Sequence, residues 1–199
     1  MKNMLRVVCL AALGTIGLQA QTASVVRSGS YEVGGFAGAS YGIDDFRWMG
    51  GANVTYAANK YILPYAEFSY FPGIGRKQSR AISGLGRPIY INYSIPLSDF
   101  HGGVHIRMPI REFPIVPYGV FGVGMIHAPS RQFNVDVEGI QVPFTSAAST
   151  EAAVNAGGGL RYYINQRFGI RAEAKVYKPT GQFKETFGKV EFGFFIQLR

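Results

Sequence analysis

Cysteine is almost missing from this chain of 199 residues, whose single thiol, Cys9, lies in an apolar run near the N-terminus. One cysteine cannot form an internal disulfide or a multi-thiolate metal site. If the N-terminal segment is removed on export, the mature chain holds no thiol at all. Its stability must then come from other interactions.

Charge is also scarce, because 16% of the residues are charged against about 25% in soluble domains. The 26 glycines and the 14% aromatic content favour many strands with close backbone contacts over a helical bundle. The net charge of +8 comes from scattered basic residues, which argues against nucleic-acid binding. A basic balance would suit anionic lipid head groups.

Long apolar runs are missing as well, since no segment reaches the ~20 apolar residues of a transmembrane helix. The first twenty residues combine the basic "MKNMLR", the short apolar "VVCLAALGTIGL" and a closing "QA". This layout is typical of a secretory signal peptide. We expect cleavage after Ala20, with Ala23 as the alternative, followed by an N-terminal tail over 21–29.

What recurs in the chain is alternation with a period of two, in segments of about ten residues. In "RFGIRAEAKVY" (167–177), the charged Arg171, Glu173 and Lys175 share one face and the apolar residues share the other. The pattern predicts eight strands, at 31–41, 47–57, 61–71, 98–108, 116–127, 152–163, 167–177 and 187–198.

The connections between these strands differ in length at the two ends. "ANK", "PIREFPI" and "INQ" are short, whereas 72–97 and 128–151 are far longer than ordinary hairpin loops. The second long segment is more apolar and could form a further hairpin, but we slightly favour variable, solvated loops for both long segments. Short turns at one end and large loops at the other are typical of outer-membrane barrels.

A soluble sandwich or lipocalin-like barrel would show the same alternation with its apolar face inward. Two features favour the opposite orientation. The polar faces hold glycine, serine, asparagine and isolated ions, and aromatic residues cluster near strand ends as they do at bilayer interfaces. They are Tyr31, Tyr41, Trp48, Tyr56, Tyr61, Tyr70, Tyr162 and Tyr177. We therefore predict an all-β fold over 30–199: an eight-stranded antiparallel up-and-down transmembrane β-barrel with short periplasmic turns and longer external loops.

Such a barrel encloses a lumen that side chains nearly fill, where ions are costly unless paired. The predicted lumen charge network is Glu67, His105, Arg107, Arg161, Arg171, Glu173, Lys175, Lys189 and Glu191. A turn near Gly181 would place Glu173 opposite Lys189 and Arg171 opposite Glu191. The network could be a salt-bridged plug, which we favour, or a gate or selectivity lining.

Four segments carry a resemblance: "VPYGVFGVG" (116–124), "NAGGGLRYY" (155–163), "RFGIRAEAKVY" and "VEFGFFIQL" (190–198). In order and spacing they resemble the later strands of the small outer-membrane β-barrel superfamily, which includes the transmembrane domain of outer membrane protein A. The resemblance implies export to the bacterial outer membrane and insertion by the barrel-assembly machinery. The chain departs from it by ending in Leu198-Arg199 rather than an aromatic residue. It also lacks the peptidoglycan-binding domain of larger relatives.

Some small barrels of this membrane modify lipid A with a Ser-His pair. Here His127 and Ser130 lie three residues apart, with Glu138 further along, but the deacylase-type spacing is absent. His101 and His105 would share a strand face about 13 Å apart, too far to ligate one metal. We therefore expect no catalytic, cofactor or metal site, and no enzyme.

The first long connection is basic, with Arg76, Lys77, Arg80 and Arg87. These residues could contact an anionic surface, such as lipopolysaccharide or a host surface. The sequence thus favours a structural or surface-interaction barrel. A narrow pore for small solutes is the alternative, and a lipid A-modifying enzyme is a third possibility. The expected partners are outer-membrane lipid, lipopolysaccharide, the assembly machinery and an unidentified surface ligand.

Overall fold

The computed structural model describes residues 27–41, 47–81, 88–110, 114–137, 140–181 and 186–199. The predicted signal peptide lies outside them. The side chains at 73–81, 88–93, 135–137, 140 and 142 also lie outside the described part of the chain. Ten strands are present in the described residues: β1 (Tyr31–Tyr41), β2 (Arg47–Tyr56), β3 (Ile62–Ala81), β4 (Pro88–Arg107), β5 (Ile115–Ala128), β6 (Arg131–Val137), β7 (Ile140–Ser146), β8 (Ser149–Tyr163), β9 (Phe168–Pro179) and β10 (Phe187–Leu198).

Eight of these strands close into a barrel in the order β1-β10-β9-β8-β5-β4-β3-β2. Every neighbouring pair is antiparallel, and β1 pairs with β10 from Tyr31↔Leu198 to Tyr41↔Gly188, which closes the sheet. Closure leaves the barrel without an unpaired edge, as a hydrocarbon environment requires. The predicted fold is confirmed. Among the described residues, no helix has the length and apolar character needed to cross a bilayer.

Side-chain direction alternates along the strands, with the apolar side outward. Phe192 and Phe194 are 66% and 59% exposed, whereas Arg171 and Glu173 are 3% and 2% exposed. A soluble barrel would show the reverse, because water would draw the ions outward. The predicted orientation, with the ions enclosed and the apolar face outward, is therefore confirmed.

Aromatic side chains mark both ends of the outer surface. Tyr31 and Tyr56 pack with ring centroids 5.0 Å apart beside the turns at 57–61 and 164–167, which define the short-turn end. Tyr41 and Trp48 are exposed at the opposite, hairpin end. Such belts are typical of bilayer interfaces. Tyr177 does not join them, because its position in β9 directs it into the lumen, where it is fully buried.

Residues 72–81 and 88–97 lie in strands, so the prediction of a loop is wrong for them. β3 and β4 continue past the barrel as a paired ribbon from Ile74↔Ile95 to Ala81↔Pro88, with a register shift between Phe71 and Ile74. The β4 portion, "PIYINYSIPL", is rich in the β-branched and aromatic residues that favour strands. The connection is therefore two long strands joined at 82–87.

A second ribbon lies between β5 and β8, where β6 and β7 form a separate two-stranded sheet. Phe133 and Phe144 pack across it with ring centroids 4.9 Å apart. The hairpin that the apolar composition of 128–151 allowed is therefore present, and the favoured interpretation of this segment as a solvated loop is wrong. Both ribbons extend from the hairpin end.

Glycine permits the tight curvature of the wall at Gly103. A Cβ atom there would lie 2.0 Å from the backbone oxygen of Phe121 on the adjacent strand, so β4 and β5 approach too closely for any side chain. The neighbouring Gly102 faces outward, and a Cβ atom there would lie 3.5 Å from its nearest neighbour, the backbone oxygen of Tyr65. Inward glycines of this kind let a sheet curve into a narrow barrel.

Candidate functional site

The centre of the lumen holds three carboxylates and three cations, all buried. Glu67 comes from β3, and the other five come from β9 and β10: Arg171, Glu173, Lys175, Lys189 and Glu191. We call these six residues the central cluster. Its formal charges cancel, which offsets much of the cost of enclosing ions in a low-dielectric interior.

Glu67 is the main acceptor of the central cluster. Its carboxylate receives the Lys175 ammonium on both oxygens, at 2.7 and 2.8 Å, and the Lys189 ammonium at 2.6 Å. Lys189 also donates to Ser69 Oγ at 2.8 Å. Because β3 pairs with β2 and β4, not with β9 or β10, these bonds cross the lumen and connect opposite walls.

The predicted register of the last hairpin is wrong. Glu173 lies opposite Glu191, Lys175 lies opposite Lys189, and Arg171 lies opposite Gly193. Like charges therefore face each other across the ladder, an arrangement that is unfavourable by itself. Contacts along each strand and diagonal contacts compensate: Lys175 meets Glu173, Lys189 lies 3.2 Å from Glu191, and Arg171 Nη2 lies 2.7 Å from Glu191 Oε1.

A second cluster lies toward the short-turn end, around Glu32 of β1. Its carboxylate forms an ion pair with Arg161, approaches Arg107 at 3.5 Å, and accepts from Thr55 Oγ1 and Tyr163 Oη at 3.2 Å each. Sequence reasoning missed Glu32. In the sequence, Glu32 shares a strand face with the polar Ser40, and both side chains are buried. The glycines of β1 made this polar face hard to recognise.

His105 occupies the space between the two clusters. Its ring stacks on Tyr65 with centroids 4.3 Å apart and packs near Tyr118 at 5.0 Å. Its Nδ1 lies 2.8 Å from an Arg161 nitrogen, and its Nε2 lies 3.8 Å from Glu173. Polar contacts therefore continue from one cluster to the next.

Buried apolar side chains form a cluster in the lumen toward the hairpin end. This apolar cap consists of Phe36, Met49, Phe71, Leu97, Ile126, Ala153, Tyr177 and Phe187. Tyr177 and Phe187 are stacked with their centroids 4.9 Å apart. Sequence reasoning missed the cap, because it expected polar residues along the whole lumen face.

Three carboxylates, those of Glu67, Glu173 and Glu191, come within 4.8 Å of one another, as ligands of a metal ion would. Lys175, Lys189 and Arg171 already contact these oxygens. The cluster is therefore neutral without a metal ion. His101 contacts Asp99 on its own strand.

Comparison of the sequence with protein-family models agrees with the barrel architecture. A family model for the outer membrane protein β-barrel domain matches residues 8–194. The chain belongs to this family. Among proteins with curated functions, none matches the sequence significantly.

Solved members of the outer membrane β-barrel class share the fold. Neisserial surface protein A is 14% identical with a TM-score of 0.57, over 85% of this chain and 97% of that one. Ail of Yersinia pestis, in complex with the heparin analogue sucrose octasulfate, is 16% identical with a TM-score of 0.53, over 86% and 100%. These identities establish fold alone. Family membership makes the chain an outer-membrane barrel, and in such barrels the short turns are on the periplasmic side.

In the described part of the chain, the predicted nucleophile Ser130 and its candidate base His127 do not form a catalytic arrangement. His127 points away from the lumen, and its Nδ1 lies 2.7 Å from Thr150 Oγ1. Ser130 is exposed beyond the end of β5. Glu138 lies outside the described residues.

The predicted basic patch falls largely where side chains are not described. Arg76, Lys77 and Arg80 lie on the β3 ribbon, paired through their backbone with Tyr93, Asn92 and Ile89. Their side chains, and Arg87 as a whole, lie outside the described residues. The contact with an anionic surface stays a prediction.

Proposed function

We propose that this outer-membrane barrel has a sealed lumen and acts as a structural or surface-interaction protein through its external ribbons. The observation that carries the proposal is the burial of the lumen ions. Lys189, Glu191 and His105 are each 0% exposed. The side chains that line a water-filled channel would instead be open to solvent.

Two layers support a sealed lumen. The central cluster connects β3 with β9 and β10 across the interior, and the apolar cap covers it toward the outside. A passage would need both the cross-lumen bonds and the cap to rearrange. The charged lumen residues therefore act, in our proposal, as a plug rather than as a gate.

The surface role rests on the ribbons. Residues 71–81 of β3 continue past its last pair with β2, Gly50↔Tyr70, which carries the ribbon on the order of 30 Å further. We place the basic residues Arg76, Lys77, Arg80 and Arg87 there as contacts for an anionic surface, such as lipopolysaccharide. The heparin analogue bound by Ail, sucrose octasulfate, is likewise an anion.

The remaining parts of the proposal concern chemistry, export and the surface ligand. The protein is not an enzyme, needs no cofactor, and is inserted by the barrel-assembly machinery after removal of its signal peptide. Its surface ligand is an anion other than a nucleic acid, such as lipopolysaccharide. A narrow pore is the alternative, and it would use Glu173 and its neighbours as a selectivity lining.

Conductance in planar lipid bilayers separates the plug from the pore. We expect the wild-type protein to give no steady current, because buried ion pairs and the apolar cap block the lumen. Glu173→Gln, and Lys60→Gln as an exposed control in the turn at 57–61, should be equally silent. Steady wild-type current would contradict the sealed lumen. A change of that current by Glu173→Gln alone would assign it to the lumen.

A further inference from the structure

An open groove of ≈ 800 Å³ lies at the periplasmic end, outside the lumen. The turn between β8 and β9, the end of β10 and the N-terminal tail line it. Three of its side chains are arginines, Arg27, Arg167 and Arg199, and none of its lining side chains is acidic, so the groove stays cationic even with the main-chain carboxylate of Arg199. The groove is large enough for a small-molecule ligand, and its charge selects an anion.

The turn that carries Arg167 is held in one conformation by hydrogen bonds to its backbone. Asn165 Oδ1 accepts from the backbone nitrogens of Arg167 and Phe168 at 2.8 Å each. The Arg167 carbonyl accepts from the Gln197 nitrogen at 2.7 Å, which joins the turn to the end of β10. The tail is joined too, because Arg27 contacts the Gln166 side chain. Arg27, Arg167 and Arg199 therefore line one groove, and none of the contacts described for them is with an acidic side chain.

The other wall of the groove is apolar. Phe168 and Leu198 are 48% and 49% exposed, and Ile196 lies between them on the outer surface of the barrel. Phe168 and Leu198 belong to the lipid-facing surface of the strands. The groove therefore runs from a cationic rim at the water boundary to a hydrocarbon-facing wall.

We propose that this groove binds an anionic phospholipid of the periplasmic leaflet. The phosphate lies against the three guanidinium groups, which recognise phosphate by paired N–H donors. The acyl chains lie along Phe168, Ile196 and Leu198. A soluble anion would meet the same charge but would leave the apolar wall without a partner.

The test measures lipid retained by the full chain in detergent micelles, by native mass spectrometry, with phosphatidylglycerol or phosphatidylcholine titrated in. We expect wild type to prefer phosphatidylglycerol. Each arginine-to-glutamine change should weaken that binding by about five-fold, from the attraction of one basic side chain to an anionic membrane surface. Soluble glycerol 3-phosphate at equal concentration should compete poorly, because it lacks the acyl chains.

A control variant with the same charge change gives the comparison. Arg27→Gln/Arg167→Gln/Arg199→Gln removes three cations from the groove, and Lys60→Gln/Arg131→Gln/Lys178→Gln removes three exposed cations elsewhere. Only the first should lose phosphatidylglycerol. Equal retention by both triple variants, equal retention of both lipids, or full competition by glycerol 3-phosphate would overturn the proposal. Arg167→Gln alone provides the comparison with Lys60→Gln if the first triple variant does not fold.

Discussion

Glu67→Gln is expected to lower the free energy of unfolding by about 3–5 kcal/mol, the range seen when one partner of a buried ion pair is removed. The neutral amide cannot balance Lys175 and Lys189, which approach the Glu67 carboxylate at 2.6–2.8 Å. The central cluster would then hold three cations and two carboxylates. Urea unfolding in lipid vesicles, followed by the fluorescence of Trp48, measures the change.

A second substitution shows whether the loss is electrostatic. Glu67→Gln with Lys189→Met restores the balance, because Arg171 and Lys175 then face Glu173 and Glu191. We expect the double variant to recover at least half of the lost stability. Lys60→Gln, at an exposed position, should change stability by less than about 0.5 kcal/mol. A Glu67→Gln loss no larger than this control would contradict the role of the cluster.

Glu32→Gln is expected to cost about 3 kcal/mol, at the lower end of the same range. Its effect should fall unevenly on the two arginines. Arg107 keeps hydrogen bonds to Tyr163 Oη at 2.9 Å and to the Asn59 carbonyl at 3.0 Å. Arg161 makes the closer ion pair with Glu32, and it keeps only neutral partners, the His105 ring nitrogen at 2.8 Å and the Tyr163 hydroxyl.

Second-site variants test this asymmetry. Adding Arg161→Met to Glu32→Gln removes the cation that lost most, so it should recover more stability than adding Arg107→Met. The same urea titration compares the two double variants. Equal recovery, or better recovery by Arg107→Met, would show that Glu32 does not serve mainly to neutralise Arg161.

The alternation of the sequence was sufficient to predict which face of each strand is enclosed, but not the register of β9 and β10. The prediction placed Glu173 opposite Lys189, and the structure places it opposite Glu191, two positions away. A shift of two residues leaves every side chain on its original face. Alternation therefore contains no information about the register of β9 and β10, which is set by the turn between them.

The other differences have separate physical causes. Glu32 was missed because glycines dilute the polar face of β1. The apolar cap was missed because lumen residues such as Phe71 and Leu97 break the polar pattern where the lumen is dry. The β3–β4 ribbon was taken for a loop because it continues past the barrel wall, where no enclosed lumen imposes alternation.

The most direct test of the account compares two adjacent positions of β10 by tryptophan quenching with brominated lipids. Phe194 is 59% exposed and Phe195 is 3% exposed, so they face opposite sides of the wall. In a Trp48→Phe background, we expect strong quenching for Phe194→Trp and little for Phe195→Trp. Strong quenching at position 195 with none at position 194 would contradict an apolar exterior around an enclosed charged lumen.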